Sequence, residues 1–129
     1  MADKKALVVV SHGSKRKESN QEFKDFIKKL NKVNSEGIES EYTKIKGACL
    51  EFASPQLEIV IKNLIISGYE KIDIFPLFIF AGYHVREDIP QRMEELKNKY
   101  NQLEYKILEH PAAADDFADY IFTQALNQK

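Results

Sequence analysis

Leu7-Val8-Val9-Val10-Ser11-His12-Gly13-Ser14 is a valine-rich apolar run that stops abruptly on a polar turn. A continuous apolar stretch of this length, bounded by glycine and serine, reads as a strand buried on both faces. Downstream, Phe23, Phe26, Ile27, Leu30 and Val33 recur at helical spacing with lysine and glutamate between them, which predicts an amphipathic helix over about 18–34, stopped before Gly37. Residues 39–49 alternate and run into Ala48-Cys49-Leu50, a second strand. Ser54 and Pro55 suit the N-cap and first position of a second helix, whose stripe is Leu57, Val60, Ile61, Leu64 and Ile65 and which Gly68 closes. Residues 71–80 form a third strand, with a bulge or break expected at Pro76, which has no ladder donor. A Gly82-Tyr83-His84 loop, a helix over 88–100, a short strand over 104–108 and a last helix opening at Asp115-Asp116 complete the chain.

This βαβαβαβα alternation predicts a parallel sheet with helices on both faces. Right-handed crossovers leave few topologies, and the compact one is a flavodoxin-like three-layer αβα sandwich with a four-stranded sheet in the order 2-1-3-4. The 129 residues, 43% hydrophobic, suffice for one core and are too few for two ordinary domains, so residues 1–129 read as a single domain. Nineteen basic and 20 acidic side chains leave a net charge of −1, which excludes a generic basic nucleic-acid binder and an acidic disordered tail. The longest apolar run, 74–83, is far short of the roughly 20 residues a membrane span requires. Only five apolar residues separate Lys5 from Ser11, too few for a secretory signal, and Cys49 is the one cysteine. The expectation is a soluble cytoplasmic protein. The charge is uneven: residues 1–35 carry nine Lys/Arg against four Asp/Glu, including Lys15-Arg16-Lys17.

In open α/β sheets, ligands bind beyond the carboxyl ends of the strands, at the switch point of strand order. Strand one ends at His12, strand two near Glu51 and strand three, after a glycine turn, at His84. The 2-1-3-4 order places all three on one rim. Two imidazoles and a carboxylate suit a divalent transition metal, and the same groups can take up protons near neutral pH. No cysteine cluster or His-x-x-x-His pattern points to a structural zinc site. Ser14, Lys15 and Arg16 fall at the start of helix one on the same rim, and Arg86 follows His84 by two residues. Basic groups at a helix N-terminus favour an acidic, polycarboxylate ligand, although a charge run of this kind also serves as a solvated helix start. Tyr83 either lines the pocket or packs; His110, beyond strand four, lies farther from the switch point.

Three segments carry a family resemblance. Val10-Ser11-His12-Gly13-Ser14 with Asn20, then Leu50-Glu51-Phe52-Ala53-Ser54-Pro55, then 76–85 (Pro-Leu-Phe-Ile-Phe-Ala-Gly-Tyr-His-Val) with Asp88-Ile89-Pro90, resemble the three motifs of the class II tetrapyrrole chelatases. Their order and spacing are similar to those of the short-form sirohydrochlorin cobaltochelatases across most of residues 6–126. Ser11 departs from the glycine common there, and 109–114 lacks an expected glycine. The resemblance implies insertion of a divalent metal, cobalt foremost and nickel or iron as alternatives, into sirohydrochlorin with release of two protons. No organic cofactor is implied. His12 and His84 would bind the metal and accept protons, with Glu51 assisting, and the short form would act as a homodimer. Two other readings compete. A phosphoryl-transfer enzyme using His12 would want an arginine beside it, where Ser11 stands. A non-catalytic tetrapyrrole- or metal-binding module is compatible with the fold alone.

Overall fold

The computed structural model describes residues 4–37 and 40–128. Its elements alternate: β1 (Lys5–Ser11), α1 (Lys17–Glu36), β2 (Lys44–Cys49), α2 (Leu57–Ile66), β3 (Lys71–Pro76), a π-helical turn (His84–Asp88) leading into α3 (Ile89–Lys99), β4 (Glu104–Ile107), a 3₁₀ turn (Pro111–Ala113) and α4 (Asp115–Asn127). The four strands form one parallel sheet in the order β2-β1-β3-β4, as the alternation predicts. Strand one is paired on both sides, with Val10 opposite Ala48 on one flank and Pro76 on the other. Val8 and Val10 are buried on one face and Val9 on the other, which is why this run can be uniformly apolar.

The two faces of the sheet are covered unequally. Ala6, Val8, Val10, Ile72 and Ile74 point into a dry layer made by Leu57, Val60, Ile61 and Leu64 of α2 and Ile89, Met93 and Leu96 of α3. On the other face neither α1 nor α4 buries a single residue fully. The predicted stripe of α1 is half covered at best: Phe23 and Ile27 rest on the bare backbone of Gly47, whereas Phe26 and Val33 stay exposed. At the amino-terminal end of the sheet, Asp73 accepts a hydrogen bond from the Tyr42 hydroxyl at 2.6 Å and faces Lys5 at 3.4 Å, which ties β1 and β3 to the segment leading into β2. No helix among the described residues is long and apolar enough to cross a membrane.

Four local expectations need correction. The second strand begins at Lys44 rather than 39; position 39 itself lies outside the described residues. Ser54 is not the cap of α2, because the Pro55 carbonyl accepts the Cys49 amide and Gln56 bridges to Cys49, so the chain continues the sheet edge before α2 starts with Gln56 at its N-cap. The third strand ends at Pro76 rather than 80, and the Leu77 amide makes the last bond, to Val10, at 2.8 Å. His84 sits on a helical turn, not a loop. Pro90 has no amide hydrogen for the Arg86 carbonyl, and the turn ahead of it widens so that the Ile89 amide reaches the His84 carbonyl.

Candidate active site at the carboxyl edge of the sheet

Beyond the strands, the pairing of β1 with β2 continues into their loops. The Leu50 amide donates to the Ser11 carbonyl at 3.1 Å and the Glu51 amide to the His12 carbonyl at 2.8 Å. Gly13 makes this approach possible. Its φ is +91°, and a Cβ there would lie 1.9 Å from the Glu51 carbonyl oxygen. Asn20 of α1 holds the far side of the turn, accepting from the Ser14 amide at 3.1 Å and donating to its carbonyl at 2.8 Å. The result puts His12 Nε2 3.4 Å from Glu51 Oε2, with both side chains close to half exposed.

His84 arrives from the other flank of β1. Its ring meets that of His12 edge-on, with centroids 4.8 Å apart. Phe78 stacks behind it at 5.7 Å and Tyr83 lies edge-on at 5.5 Å. The outer ring nitrogens are both committed. His12 Nδ1 faces the Gly13 carbonyl at 3.2 Å and His84 Nδ1 faces Asp88 Oδ2 at 2.8 Å. Carbonyl and carboxylate oxygens only accept, so a hydrogen on Nδ1 satisfies each of these contacts; His12 also has the Glu51 carboxylate against its Nε2, whereas no such acceptor is paired with His84 Nε2 among the described residues. Burial pushes the Asp88 carboxyl up, but hydrogen bonds from His84 and Arg92 outweigh it and hold the group below the usual carboxylate range.

The three rim residues singled out in the sequence are thus brought together pairwise around His12. Among the described residues, no group of three or more His, Cys, Asp and Glu side chains forms a ready-made metal cage. Two imidazoles with a carboxylate on one of them make an open site, suited to a metal that must be taken up and released. His110 caps the 3₁₀ turn after β4 and, among the described residues, is not joined to this pair.

The basic candidates ring the mouth with different degrees of commitment. Lys15 lies over the Phe52 ring at 5.0 Å, and Arg16 is exposed at the N-cap of α1. Ser14 Oγ is engaged by the Arg16 amide at 3.0 Å, so it braces the loop. Arg86 is exposed, with Nε on the Ala81 carbonyl at 2.8 Å. Of the apolar part of the rim, sequence reasoning named Tyr83 and missed Phe52, Ile79 and Phe80. Phe52, Ile79, Phe80 and Tyr83 are all more than half exposed, and Phe52 holds a left-handed φ of 65°. A left-handed non-glycine costs on the order of 1–2 kcal/mol, so its aromatic ring is held at the mouth against a local preference. Apolar side chains in a strand-to-helix loop were the only signal in the sequence.

Comparison with known proteins agrees with this geometry. The CbiX family model matches residues 6–127. The chain is 28% identical to the sirohydrochlorin cobaltochelatase of Saccharolobus solfataricus over 127 residues, 95% of this chain and 93% of that protein. It is 29% identical to the sirohydrochlorin ferrochelatase of Priestia megaterium over 124 residues, 95% of this chain and 44% of that protein. With the chloroplastic sirohydrochlorin ferrochelatase of Arabidopsis thaliana the identity is 25%, over 83% of this chain and 45% of that one. The chain therefore spans less than half the length of those two ferrochelatases. A cobalamin biosynthesis CbiX protein from Marinobacter aquaeolei VT8 superposes with a TM-score of 0.74 at 23% identity, covering 97% of this chain and 99% of that one. SirB from Bacillus subtilis, solved in complex with cobalt, gives 0.83 at 18% identity over 96% of this chain and 50% of that one. At such identities these two likenesses show the shared fold.

Proposed function

The chain belongs to the CbiX family, and from that premise we propose that it is a sirohydrochlorin chelatase, with cobalt as the metal it inserts. The observation that carries the proposal is the pair of imidazole rings at 4.8 Å, with the Glu51 carboxylate 3.4 Å from one of them. His84 and His12 replace part of the metal's water shell and hold it over the macrocycle. As the metal bonds to the ring nitrogens, the two pyrrole protons leave, and the half-exposed His12–Glu51 pair is placed to accept them and pass them to water. The exposed Phe52, Phe80 and Tyr83 give a flat apolar guest a surface to lie on, and Lys15, Arg16 and Arg86 suit its carboxylates. Cobalt is preferred because a relative of matching length, from Saccharolobus solfataricus, is named a cobaltochelatase. Iron is the second reading, favoured by the two longer ferrochelatases. Phosphoryl transfer at His12 is disfavoured by the Glu51 carboxylate 3.4 Å from Nε2, which repels an incoming phosphate. A cytoplasmic setting, where the free Cys49 thiol stays reduced, fits the same reading.

The deciding experiment follows the absorbance change of sirohydrochlorin with Co²⁺, Ni²⁺ or Fe²⁺ in turn, against the spontaneous rate. Acceleration with cobalt above the other ions is expected. Spontaneous rates throughout would sink the proposal. For the basic rim, Lys15→Glu with Arg16→Glu should raise KM for the tetrapyrrole about tenfold at low salt while kcat stays within about twofold, with the difference shrinking as salt screens the charges. An unchanged KM at low salt would make the run a solvated helix start.

We also propose that two copies assemble through the unburied face of α4. Tyr120, Ile121, Phe122 and Leu126 are each more than half exposed on this helix. Between it and α1 runs a trough of about 1310 Å³ lined by Phe23, Phe26, Leu77 and Ile79, and Ile79 also borders the mouth. A second copy of the chain would cover this apolar surface, and it fits that the chain matches only about half the length of several relatives. Sedimentation should give a dimer for the native chain and a monomer for Ile121→Glu with Phe122→Glu. A native chain that sediments as a monomer at micromolar concentration would refute this arrangement.

A further inference from the structure

Asp88 belongs to the third sequence motif, yet neither the open mouth nor its basic rim makes use of it. Its carboxylate is held from two sides. Oδ2 accepts the His84 Nδ1 hydrogen at 2.8 Å and Oδ1 accepts the Arg92 Nε hydrogen at 3.0 Å. The side chain is only 14% exposed, against 26% for His84 and 23% for Arg92. Arg92 extends the chain of contacts with longer reaches to Glu58 at 3.3 Å and to the Leu50 carbonyl at 3.4 Å. Leu50 immediately precedes Glu51, so Arg92 ties the helix carrying His84 to the loop carrying the His12 partner. The Phe78 ring stacks on that of His84 at 27°, with centroids 5.7 Å apart.

We propose that Asp88, clamped by Arg92, is a positioning residue: it holds the Nδ1 proton of His84 and so aims a bare Nε2 at His12 across the mouth. An imidazole without such a partner populates both neutral tautomers and several ring rotations, and only one combination presents a lone pair to an incoming metal. Carboxylates that orient metal-binding histidines in this way are worth about 10–100-fold in metal affinity or activity. The wide turn contributes as well. It sets His84 and Asp88 side by side, and Arg92 one turn further on, so all three meet on one flank of the helix. The functional consequence rests on the chelatase reading; the tautomer does not.

The test uses the full chain labelled with ¹⁵N in its three histidines, at pH 8, with no tetrapyrrole present. Ring-nitrogen shifts should show His84 as the Nδ1–H tautomer. In Asp88→Asn one amide oxygen must serve both His84 and Arg92, and the His84 signals should move to a mixture. Titration with Co²⁺ alone should weaken about 10–100-fold. In the insertion assay, KM for the tetrapyrrole should hold while kcat at fixed metal falls. Asp88→Glu should recover part of the tautomer and of the cobalt affinity together. A native His84 in the Nε2–H form overturns the proposal. So does an Asp88→Asn chain that binds cobalt within twofold of native, whatever its melting temperature. If that variant does not fold, Asp88→Glu decides: loss of the tautomer without loss of cobalt binding overturns the proposal equally. A native chain with the expected tautomer that inserts no metal would sink the chelatase reading and leave this one standing.

Discussion

Replacing His84 by alanine is expected to lower the rate of metal insertion by a factor on the order of 10²–10⁴, the range associated with removing a group that handles the reacting protons or metal directly. The substitution deletes one of the two Nε2 donors at the mouth and leaves His12, at 4.8 Å, to hold the metal alone. The fold should survive. His84 is a quarter exposed, and its loss frees one oxygen of Asp88, whose other oxygen keeps Arg92. Leaving a partly buried acceptor short of one hydrogen bond costs about 1–2 kcal/mol, a fraction of ordinary domain stability. Circular dichroism and a urea transition would establish folding, and an absorbance assay would establish the rate. A folded His84→Ala chain with native turnover would remove the imidazole pair from the mechanism.

Gly13→Ala should damage both stability and activity, by a route that touches no donor. An alanine Cβ would stand 1.9 Å from the Glu51 carbonyl oxygen, and that neighbour is backbone with no rotamer to change. The left-handed φ of +91° adds its own penalty. The two loops must part, breaking the bond from the Glu51 amide to the His12 carbonyl and separating the side chains now 3.4 Å apart. A loss of about 3 kcal/mol or more in unfolding free energy is expected, with turnover depressed beyond what the unfolded fraction explains. A urea midpoint matching that of the native chain would show that the loops tolerate separation.

Both predictions depend on features of different legibility. The parallel sheet and its order follow from the alternation of apolar runs with amphipathic stripes, because right-handed crossovers leave little choice of topology. The same rule sends the carboxyl ends of all strands to one edge, so His12, Glu51 and His84 could be placed on a common rim before any distance was known. The turn that carries His84 was read as a loop because Gly82 precedes it and the apolar stripe begins only at Ile89. What Pro90 does is widen the turn before it, and that depends on which carbonyl it faces.

Sequence by itself determined the order of the elements, the parallel sheet with its strand order, and the three polar residues at the carboxyl edge, since periodicity and chain direction carry that information. Only the tertiary structure decided that Gly13 lies under the Glu51 carbonyl, that Asp88 and Arg92 orient the second imidazole, and that the apolar face of α4 stays uncovered. These are questions of which way a side chain points and what stands opposite it. A stripe of apolar residues states that a partner is needed, but its identity is settled by three-dimensional distances between segments remote in the chain.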